Sequence, residues 1–255
     1  MKNIKEKLCR LLPHPTPTPP HPIPAIRYPV EFSSEERELF DYVKKNTLSM
    51  TSDERLFNTM LACKYVLDQN IEGDFIECGV WRGGNSILAA GIFKLYKSDR
   101  KIYLFDTFTG MTEPGKKDIR ISDGSLQAAI NEFASKKCLS SLDDVKENFR
   151  RYNLLFDNVI FVQGDVLQTL ECKSVPSKIA VLRLDTDWYE STRKELEILY
   201  PRLSSNGVLI IDDYGHWGGS KKAVDEYFAT YGNRLFFNYV DYTGRSAVKG
   251  IYHER

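Results

Sequence analysis

Two pairs of aspartates each follow a hydrophobic run of the sequence directly. The first pair is Asp185 and Asp187. The second pair is Asp212 and Asp213. Both runs are short and rich in β-branched residues, as buried strands of a parallel sheet are, and such sheets bind ligands at the carboxyl ends of their strands. Carboxylates gathered there repel one another unless a cation lies between them, so we predict a Mg²⁺ or Ca²⁺ site. The alternative is that the aspartates cap the helices that follow.

A glycine-rich turn after an earlier apolar run has the residue types of a nucleoside site. Glu77 is followed by Gly79, Gly83 and Gly84. This spacing differs from the dinucleotide and phosphate-loop patterns, so pyrophosphate binding is not expected. Asp106 ends the next apolar run, where a carboxylate accepts hydrogen bonds from ribose hydroxyls. An adenosine with a cationic group that Glu77 attracts fits these residues, and S-adenosylmethionine is such a molecule. The alternative is an ordinary strand-to-helix turn.

The composition excludes several classes of partner. Among 255 residues, 35 basic side chains (Lys and Arg) balance 35 acidic ones, so we expect no nucleic-acid partner. No apolar run reaches the roughly 18–20 residues of a membrane-spanning helix, so we expect no transmembrane segment. The cysteines form no Cys-x-x-Cys pair, which argues against disulfides or zinc and favours a cytoplasmic protein: Cys9, Cys63, Cys78, Cys138 and Cys172.

The first 32 residues differ in pattern from the rest of the chain. Residues 1–12 have apolar side chains at helical spacing, and residues 13–24 are rich in proline, which favours a stiff extended spacer. We predict an amphipathic leader and a linker over 1–32, then a single domain over 33–255. The leader would dock within a homo-oligomer, or else on its own domain or a membrane surface.

The remaining pattern predicts a doubly wound α/β domain with a seven-stranded mixed sheet. Helix starts are expected at Ser33 and Ser52, before the first strand. Strands are expected over 73–79, 101–106, 158–163, 178–184 and 207–211, and a C-terminal antiparallel hairpin over 234–240 and 247–252. Further helices are expected over 85–96, 142–152, 191–203 and 220–231.

Residues 113–141 form a long, charged segment that fits no strand. Long loops in compact domains are uncommon unless they cover or bind a ligand, so we interpret this insertion as a lid above the sheet edge. Plain disorder is the alternative. Nearby aromatic residues are candidates for stacking on a sugar ring or, alternatively, for the core: Trp188, Tyr189, Tyr214 and Trp217.

Several stretches in order resemble the TylF-type family of macrocin-like O-methyltransferases. Two of them are Glu77-Cys-Gly-Val-Trp-Arg-Gly-Gly84 and Leu182-Arg-Leu-Asp-Thr-Asp-Trp-Tyr189. The resemblance covers roughly residues 48–226 and includes segments at 48–56, 73–84, 105–110, 145–155, 182–192, 210–215 and 223–225. Thr186 departs from the family pattern, which usually has glycine between the two aspartates.

The resemblance implies a class I, Rossmann-like methyltransferase that uses S-adenosylmethionine and Mg²⁺ to methylate a sugar hydroxyl. It places the metal on Asp185, Asp212 and Asp213, and it makes Asp187 the candidate general base. The cofactor-binding positions that it implies are Glu77, Gly79, Ser86 and Asp106.

These residues suit methyl transfer to a hydroxyl of a sugar, a glycan or a glycosylated natural product. A divalent cation would lower the pKa of that hydroxyl, and Asp187 would take its proton. Two other functions stay open at this point. One is a metal-dependent phenol or catechol O-methyltransferase on the same architecture, and the other is a non-catalytic adenosine-binding scaffold.

Overall fold

A computed structural model describes residues 28–171, 175–230 and 235–250. Contacts divide the chain into two units, Met1–Phe32 and Ser33–Arg255. In the described part of the first unit, the Phe32 N–H donates to the Pro29 carbonyl oxygen at 3.1 Å. The leader predicted over 1–32 lies almost wholly outside the described residues and stays a prediction.

Two capped helices precede the sheet, as the sequence predicts. Helix α1 spans Ser34–Lys45, and the side chains of Ser33 and Glu36 cap its N-terminus reciprocally. Helix α2 spans Asp53–Asp68, and the Ser52 hydroxyl accepts a hydrogen bond from the Arg55 N–H at 3.2 Å. Both predicted helix starts are confirmed.

Seven strands of the described residues form one sheet: β1 Asp74–Cys78, β2 Ile102–Asp106, β3 Val159–Gln163, β4 Ile179–Leu184, β5 Leu203–Ile211, β6 Asn238–Tyr239 and β7 Arg245–Val248. Their order across the sheet is β3-β2-β1-β4-β5-β7-β6. The first five strands in this order are parallel, and β7 runs antiparallel to both β5 and β6. The predicted mixed sheet with a C-terminal hairpin is confirmed.

Six helices follow the first strand in the described residues: α3 Gly84–Leu95, α4 Leu126–Ser135, α5 Leu142–Arg151, α6 Val166–Thr169, α7 Tyr189–Leu199 and α8 Gly218–Thr230. Helix α3 contacts both α1 and α2, and helix α7 contacts both α6 and α8.

The central strands carry apolar side chains at every second position on one face. There Leu182 and Leu184 of β4 share a buried cluster with Leu196 and Leu199 of α7. Since side chains alternate along a strand, Arg183 points to the opposite face. Its register partner Glu77 on β1 shares that second face. A buried ion pair thus lies in the middle of an otherwise apolar sheet.

Two predicted boundaries between α7 and β5 are wrong. The helix predicted over 191–203 spans Tyr189–Leu199 and is followed by a 3₁₀ turn over Tyr200–Arg202. Pro201 lacks an N–H and cannot continue the helical hydrogen-bond ladder. Strand β5 therefore begins at Leu203 rather than at residue 207. The polar residues Ser204–Asn206 carry no apolar period, which is why the pattern missed them.

The insertion and the hairpin also differ in detail from the prediction. Residues 113–141 contain helix α4, which the sequence pattern did not predict, and only isolated bridges of strand type. The second hairpin strand begins at Arg245, earlier than the predicted residue 247. Residues 234 and 251–252 of the predicted hairpin lie outside the described part of the chain.

No helix within the described residues is both long enough and apolar enough to cross a membrane. Cys63, Cys78 and Cys138 each carry a free thiol. Cys9 and Cys172 lie outside the described ranges, so the prediction on cysteine pairing is untested for them.

Candidate active site

The carboxyl ends of the central parallel strands open into a cleft of about 390 Å³. Seven of the eight predicted site residues line it: Glu77, Gly79, Asp106, Asp185, Asp187, Asp212 and Asp213. The eighth residue, Ser86, is fully buried on α3, and its hydroxyl donates a hydrogen bond to the Glu77 carboxylate. The fold therefore gathers at one sheet edge residues that are far apart in the sequence.

Backbone hydrogen bonds of the sheet fix the acidic residues at the strand ends. The Asp185 N–H donates to the Cys78 carbonyl oxygen at 2.8 Å, and the Asp212 N–H donates to the Leu184 carbonyl oxygen at 2.9 Å. The parallel ladder thus continues one residue beyond β4 and β5. The positions of these two carboxylates follow from strand register rather than from loop conformation.

Three carboxylates form a compact acidic cluster, which we define as Asp185, Asp212 and Asp213. One carboxylate oxygen from each lies within 4.8 Å of the others. Asp213 Oδ2 is buried and has no hydrogen-bond partner among the described residues. An unpartnered buried carboxylate oxygen is rare in proteins, and a cation would satisfy it. Burial, together with the negative charges of Asp187 and Asp185, raises the pKa of Asp213 well above its ordinary range.

Arg183 lies beneath the acidic cluster and is completely buried. Its Nη1 donates at 2.7 Å both to Glu77 Oε1 and to Asp185 Oδ2, and its Nη2 donates to Asp212. Burial alone would lower the pKa of Arg183, but these surrounding carboxylates outweigh burial and raise it. One guanidinium therefore connects β1, β4 and β5 directly below the cleft.

Arg55, on the first turn of α2, approaches the acidic cluster from the opposite direction. Its Nη1 pairs with Asp212, and its Nε donates to Asp241 Oδ2 at 2.9 Å. Asp241 also accepts a hydrogen bond from the Ser52 hydroxyl at 2.7 Å. Thr243, in the same hairpin turn, donates to the Asp212 carbonyl oxygen at 2.6 Å. The C-terminal hairpin therefore supports the cluster from outside.

Asp187 has a strained backbone. Its φ angle is +67°, and the Trp188 N–H donates to the Thr186 carbonyl oxygen at 2.7 Å across it. Burial and the charges of Asp185 and Asp212 raise the pKa of Asp187 well above its ordinary range. A carboxylate with a raised pKa at a strained position is typical of a functional site.

The carboxylates among the predicted cofactor-binding residues already have hydrogen-bond partners within the protein. Asp106 Oδ2 accepts hydrogen bonds from Val80 N at 2.6 Å and Trp81 N at 3.1 Å, which holds the glycine turn against β2. Both oxygens of Glu77 are bonded, one to Arg183 and one to Ser86. The geometry supports Glu77 as a residue that holds the site together rather than as a direct cofactor ligand.

Gly79 is required by a close contact between two strands. Its φ angle is +83°, and a Cβ atom added there would lie 1.9 Å from the Asp185 carbonyl oxygen. No side chain fits this space. The sequence pattern attributes this glycine to the approach of a cofactor. In the structure, the absence of a side chain at Gly79 lets the turn after β1 contact the end of β4.

Two of the four aromatic candidates lie in the core, and the other two, Tyr189 and Tyr214, are half-buried. Trp188 and Trp217 are 3% and 4% exposed and pack edge to face, with ring centroids 5.2 Å apart. Both belong to a small cluster with Ala129 of α4. The core interpretation is therefore confirmed for these two residues, and they attach the insertion to the site.

Sequence reasoning missed both arginines of this network. Arg183 carried a signal, since a charged side chain in the middle of a buried apolar strand needs partners on the neighbouring strands. Arg55 carried no such signal, because an arginine in the first turn of a helix is ordinarily solvated.

The strand order, with an acidic cleft at the carboxyl edge, defines a methyltransferase of the class I fold. The structure of the O-methyltransferase NovP is similar, with a TM-score of 0.72 and 34% sequence identity over 80% of this chain and 82% of that one. The calicheamicin methyltransferase CalS11 shares the fold, with a TM-score of 0.56 and 21% identity over 87% of this chain and 95% of that one.

The sequence model of the family Macrocin-O-methyltransferase (TylF) matches residues 22–246. The chain belongs to this family and is an O-methyltransferase. A demethyldecarbamoylnovobiocin O-methyltransferase of Streptomyces niveus is 37% identical over 73% of this chain and 70% of its own length. An 8-demethyl-8-(2,3-dimethoxy-alpha-L-rhamnosyl)-tetracenomycin-C 4'-O-methyltransferase of Streptomyces olivaceus is 36% identical over 77% of this chain and 73% of its own length.

Proposed function

We propose that the chain transfers the methyl group of S-adenosylmethionine to a hydroxyl of a sugar or a glycosylated natural product, assisted by Mg²⁺. The observation that carries this proposal is the acidic cluster with its unpartnered Asp213 Oδ2, in the cleft of a TylF-family fold. Acidic residues at the carboxyl edge of a sheet are common without a metal. Here, however, one buried carboxylate oxygen has no hydrogen-bond partner among the described residues, and a bound cation would satisfy it.

The three carboxylates of the cluster fit a divalent cation. They supply oxygen ligands only, the set that Mg²⁺ prefers, and they come from two strand ends that the sheet holds in register. The alternative that Asp185 or Asp187 caps the following helix is weaker, because the first amide of α7 donates its hydrogen bond to the side chain of Asp118. Arg183 and Arg55 offset part of the negative charge and leave Asp213 for the metal.

The methyl donor would lie in the cleft beside the glycine turn and Asp106. Both line the cleft beside the acidic cluster. Asp106 is half-buried, and its Oδ1 accepts from the Phe108 N–H at 2.7 Å and, over a longer 3.4 Å, from the Thr107 hydroxyl, so a ribose hydroxyl would replace the longer bond. Within this proposal, Gly79 and Ser86 shape the pocket rather than bind the donor through charge.

Asp187 is the proposed general base. A bound divalent cation would supply one thing, a lower pKa for the acceptor hydroxyl. Asp187 would accept the hydroxyl proton, the new O–CH₃ bond would form as the S–CH₃ bond breaks, and the neutral thioether S-adenosylhomocysteine would leave. The position of Asp187 supports this role, because it lines the same cleft as the acidic cluster.

The name of one relative supports a sugar acceptor. The tetracenomycin 4'-O-methyltransferase of Streptomyces olivaceus acts, by its name, on a compound that carries a rhamnosyl group. We expect this chain to act on a sugar hydroxyl next to a second oxygen, because two adjacent oxygens can chelate one cation.

Calorimetry and an acceptor panel test the proposal. Mg²⁺ and S-adenosylmethionine are titrated separately into the parent chain and an Asp185→Ala/Asp212→Ala variant, and methyl transfer is then measured with methyl α-L-rhamnoside, TDP-rhamnose and catechol. We expect both forms to bind the cofactor, only the parent to bind the metal, and transfer to the sugars. Transfer to catechol alone would favour the phenol class, and failure to bind the cofactor would overturn the proposal.

A further inference from the structure

One buried carboxylate in the insertion has no part in the reaction proposed above. Asp118 is only 1% exposed. Its Oδ1 accepts a hydrogen bond from the Tyr189 N–H at 2.7 Å, and its Oδ2 accepts one from the Gly115 N–H at 2.7 Å. Tyr189 begins α7, whose N-cap residue Trp188 provides no side-chain hydrogen bond. Asp118 therefore caps α7 from a distant segment of the chain.

This cap lies two residues from the strained Asp187. A non-glycine residue in the left-handed region is strained, and it stays there only when the surrounding structure fixes it. The bond across Asp187, from Trp188 N to Thr186 O, fixes one side of the turn. The bond from Tyr189 N to Asp118 fixes the other side.

Further contacts enclose Asp118 between the starts of two helices. The Trp188 indole N–H donates to the Thr112 carbonyl oxygen at 2.9 Å, and the Gly218 N–H donates to the Ile119 carbonyl oxygen at 2.7 Å. A Cβ atom added at Gly219 would lie 1.8 Å from Asp118 Oδ1. The insertion is thus bonded to the segments on both sides of the acidic cluster.

We infer that Asp118 is a positioning residue: by capping α7 it holds Asp187 in the conformation that aims its carboxylate into the cleft. The inference rests on the proposed function, since the role of Asp187 as base makes its orientation matter. Within the described residues, Asp118 bonds neither the cofactor positions nor the acidic cluster, so its loss acts on the base and not on metal binding.

The test compares Asp118→Ala and Asp118→Asn with Asp123→Ala, a matched control in the same insertion. Asp123 is exposed and bonds Arg120 and the Ser125 N–H. We expect Asp118→Ala to lower kcat roughly 10–100-fold with the best sugar acceptor of the panel, because a misplaced base loses rate steeply. The Kd of Mg²⁺ and the KM of S-adenosylmethionine should stay within about threefold of the parent values. The Asp118→Asn variant keeps a carbonyl oxygen for the Tyr189 N–H but loses the acceptor of the Gly115 N–H, so it should restore part of the rate.

Hydrogen–deuterium exchange supplies a readout that does not depend on activity. The amides of Trp188 and Tyr189 should exchange faster in Asp118→Ala than in the parent chain or in Asp123→Ala. Equal exchange would overturn the cap itself. A kcat no lower than that of Asp123→Ala would overturn the positioning role, as would joint loss of cofactor binding, metal binding and cooperative unfolding in both Asp118 variants. If the parent methylates no acceptor, the proposed function and the positioning role fall together, while the exchange data still decide whether the cap exists.

Discussion

The two faces of strand β4 contact buried carboxylates that have different partners. On one face burial raises the pKa of Glu77 to about 7, although Arg183 and the Ser86 hydroxyl beside it favour its charged form. Arg183 also joins Glu77 to the acidic cluster. On the other face α7 brings Glu195 against the end of the strand. There one oxygen of Glu195 accepts a hydrogen bond from the Thr186 hydroxyl at 2.9 Å, and the other has no partner among the described residues. Burial raises the pKa of Glu195 to about 8. Both carboxylates are buried and both pKa values are raised, but Glu77 has a charged partner in Arg183, whereas Glu195 has only a hydroxyl.

Removing the arginine should have the largest effect. Arg183→Met leaves the carboxylates of Glu77, Asp185 and Asp212 without their shared partner, and breaking a buried ion pair from one side costs about 3–5 kcal/mol. We expect that loss in urea unfolding at pH 7. Arg193→Met is the control, because Arg193 pairs with the exposed Glu197 and should change stability by less than about 1 kcal/mol. Equal losses in the two variants would contradict the contrast between the faces.

Glu195→Gln should raise the free energy of unfolding instead of lowering it, and the size of this gain should depend on pH. The folded-state pKa of about 8 lies above the ordinary value of 4.5, so Glu195 stabilises the fold fully below pH 4.5 and loses that contribution as the pH rises to 8. The amide cannot ionise. The variant should therefore match the parent near pH 4.5 and exceed it at pH 8 by on the order of 4 kcal/mol, measured by urea unfolding across that range. A constant difference across the pH range would show that Glu195 does not titrate there.

Magnesium should stabilise the folded chain through the acidic cluster. A ligand that binds the folded state alone adds roughly 2–3 kcal/mol when its concentration is a hundred times its Kd. We expect thermal unfolding of the parent to move upward with Mg²⁺, and that of Asp213→Asn to stay unchanged. Asp225→Asn removes an exposed carboxylate that bonds Tyr214 and Lys221, so it should keep the full response. A response retained in Asp213→Asn would place the metal elsewhere.

Breaking an exposed ion pair should give the smallest change in the free energy of unfolding, against which the other variants can be compared. Lys178 and Glu72 pair where both side chains are more than half exposed. Lys178→Met should change stability by at most about 0.5 kcal/mol, and added salt should reduce the difference further. A larger change would mean that surface pairs matter as much here as the Arg183 network.

The comparison also explains what the sequence could predict. Short β-branched runs located all five parallel strands, and the acids that follow two of them were placed correctly because register determines where a strand end lies. Asp118 was not found, because its partner Tyr189 is 71 residues away and no local pattern encodes such a bond. Helix α4 was missed for a related reason: its single buried residue, Ala129, gives little apolar period.

The contact at Gly79 has a consequence for how this enzyme could acquire new substrates. The turn proposed to hold the methyl donor touches the backbone of the strand that carries the proposed metal ligands, with no side chain between them. Donor and metal would then keep one fixed spacing, whatever the acceptor. We therefore expect mutations that admit a different sugar at insertion residues that line the cleft, such as Arg120, Ala128 and Glu132, rather than at Asp118.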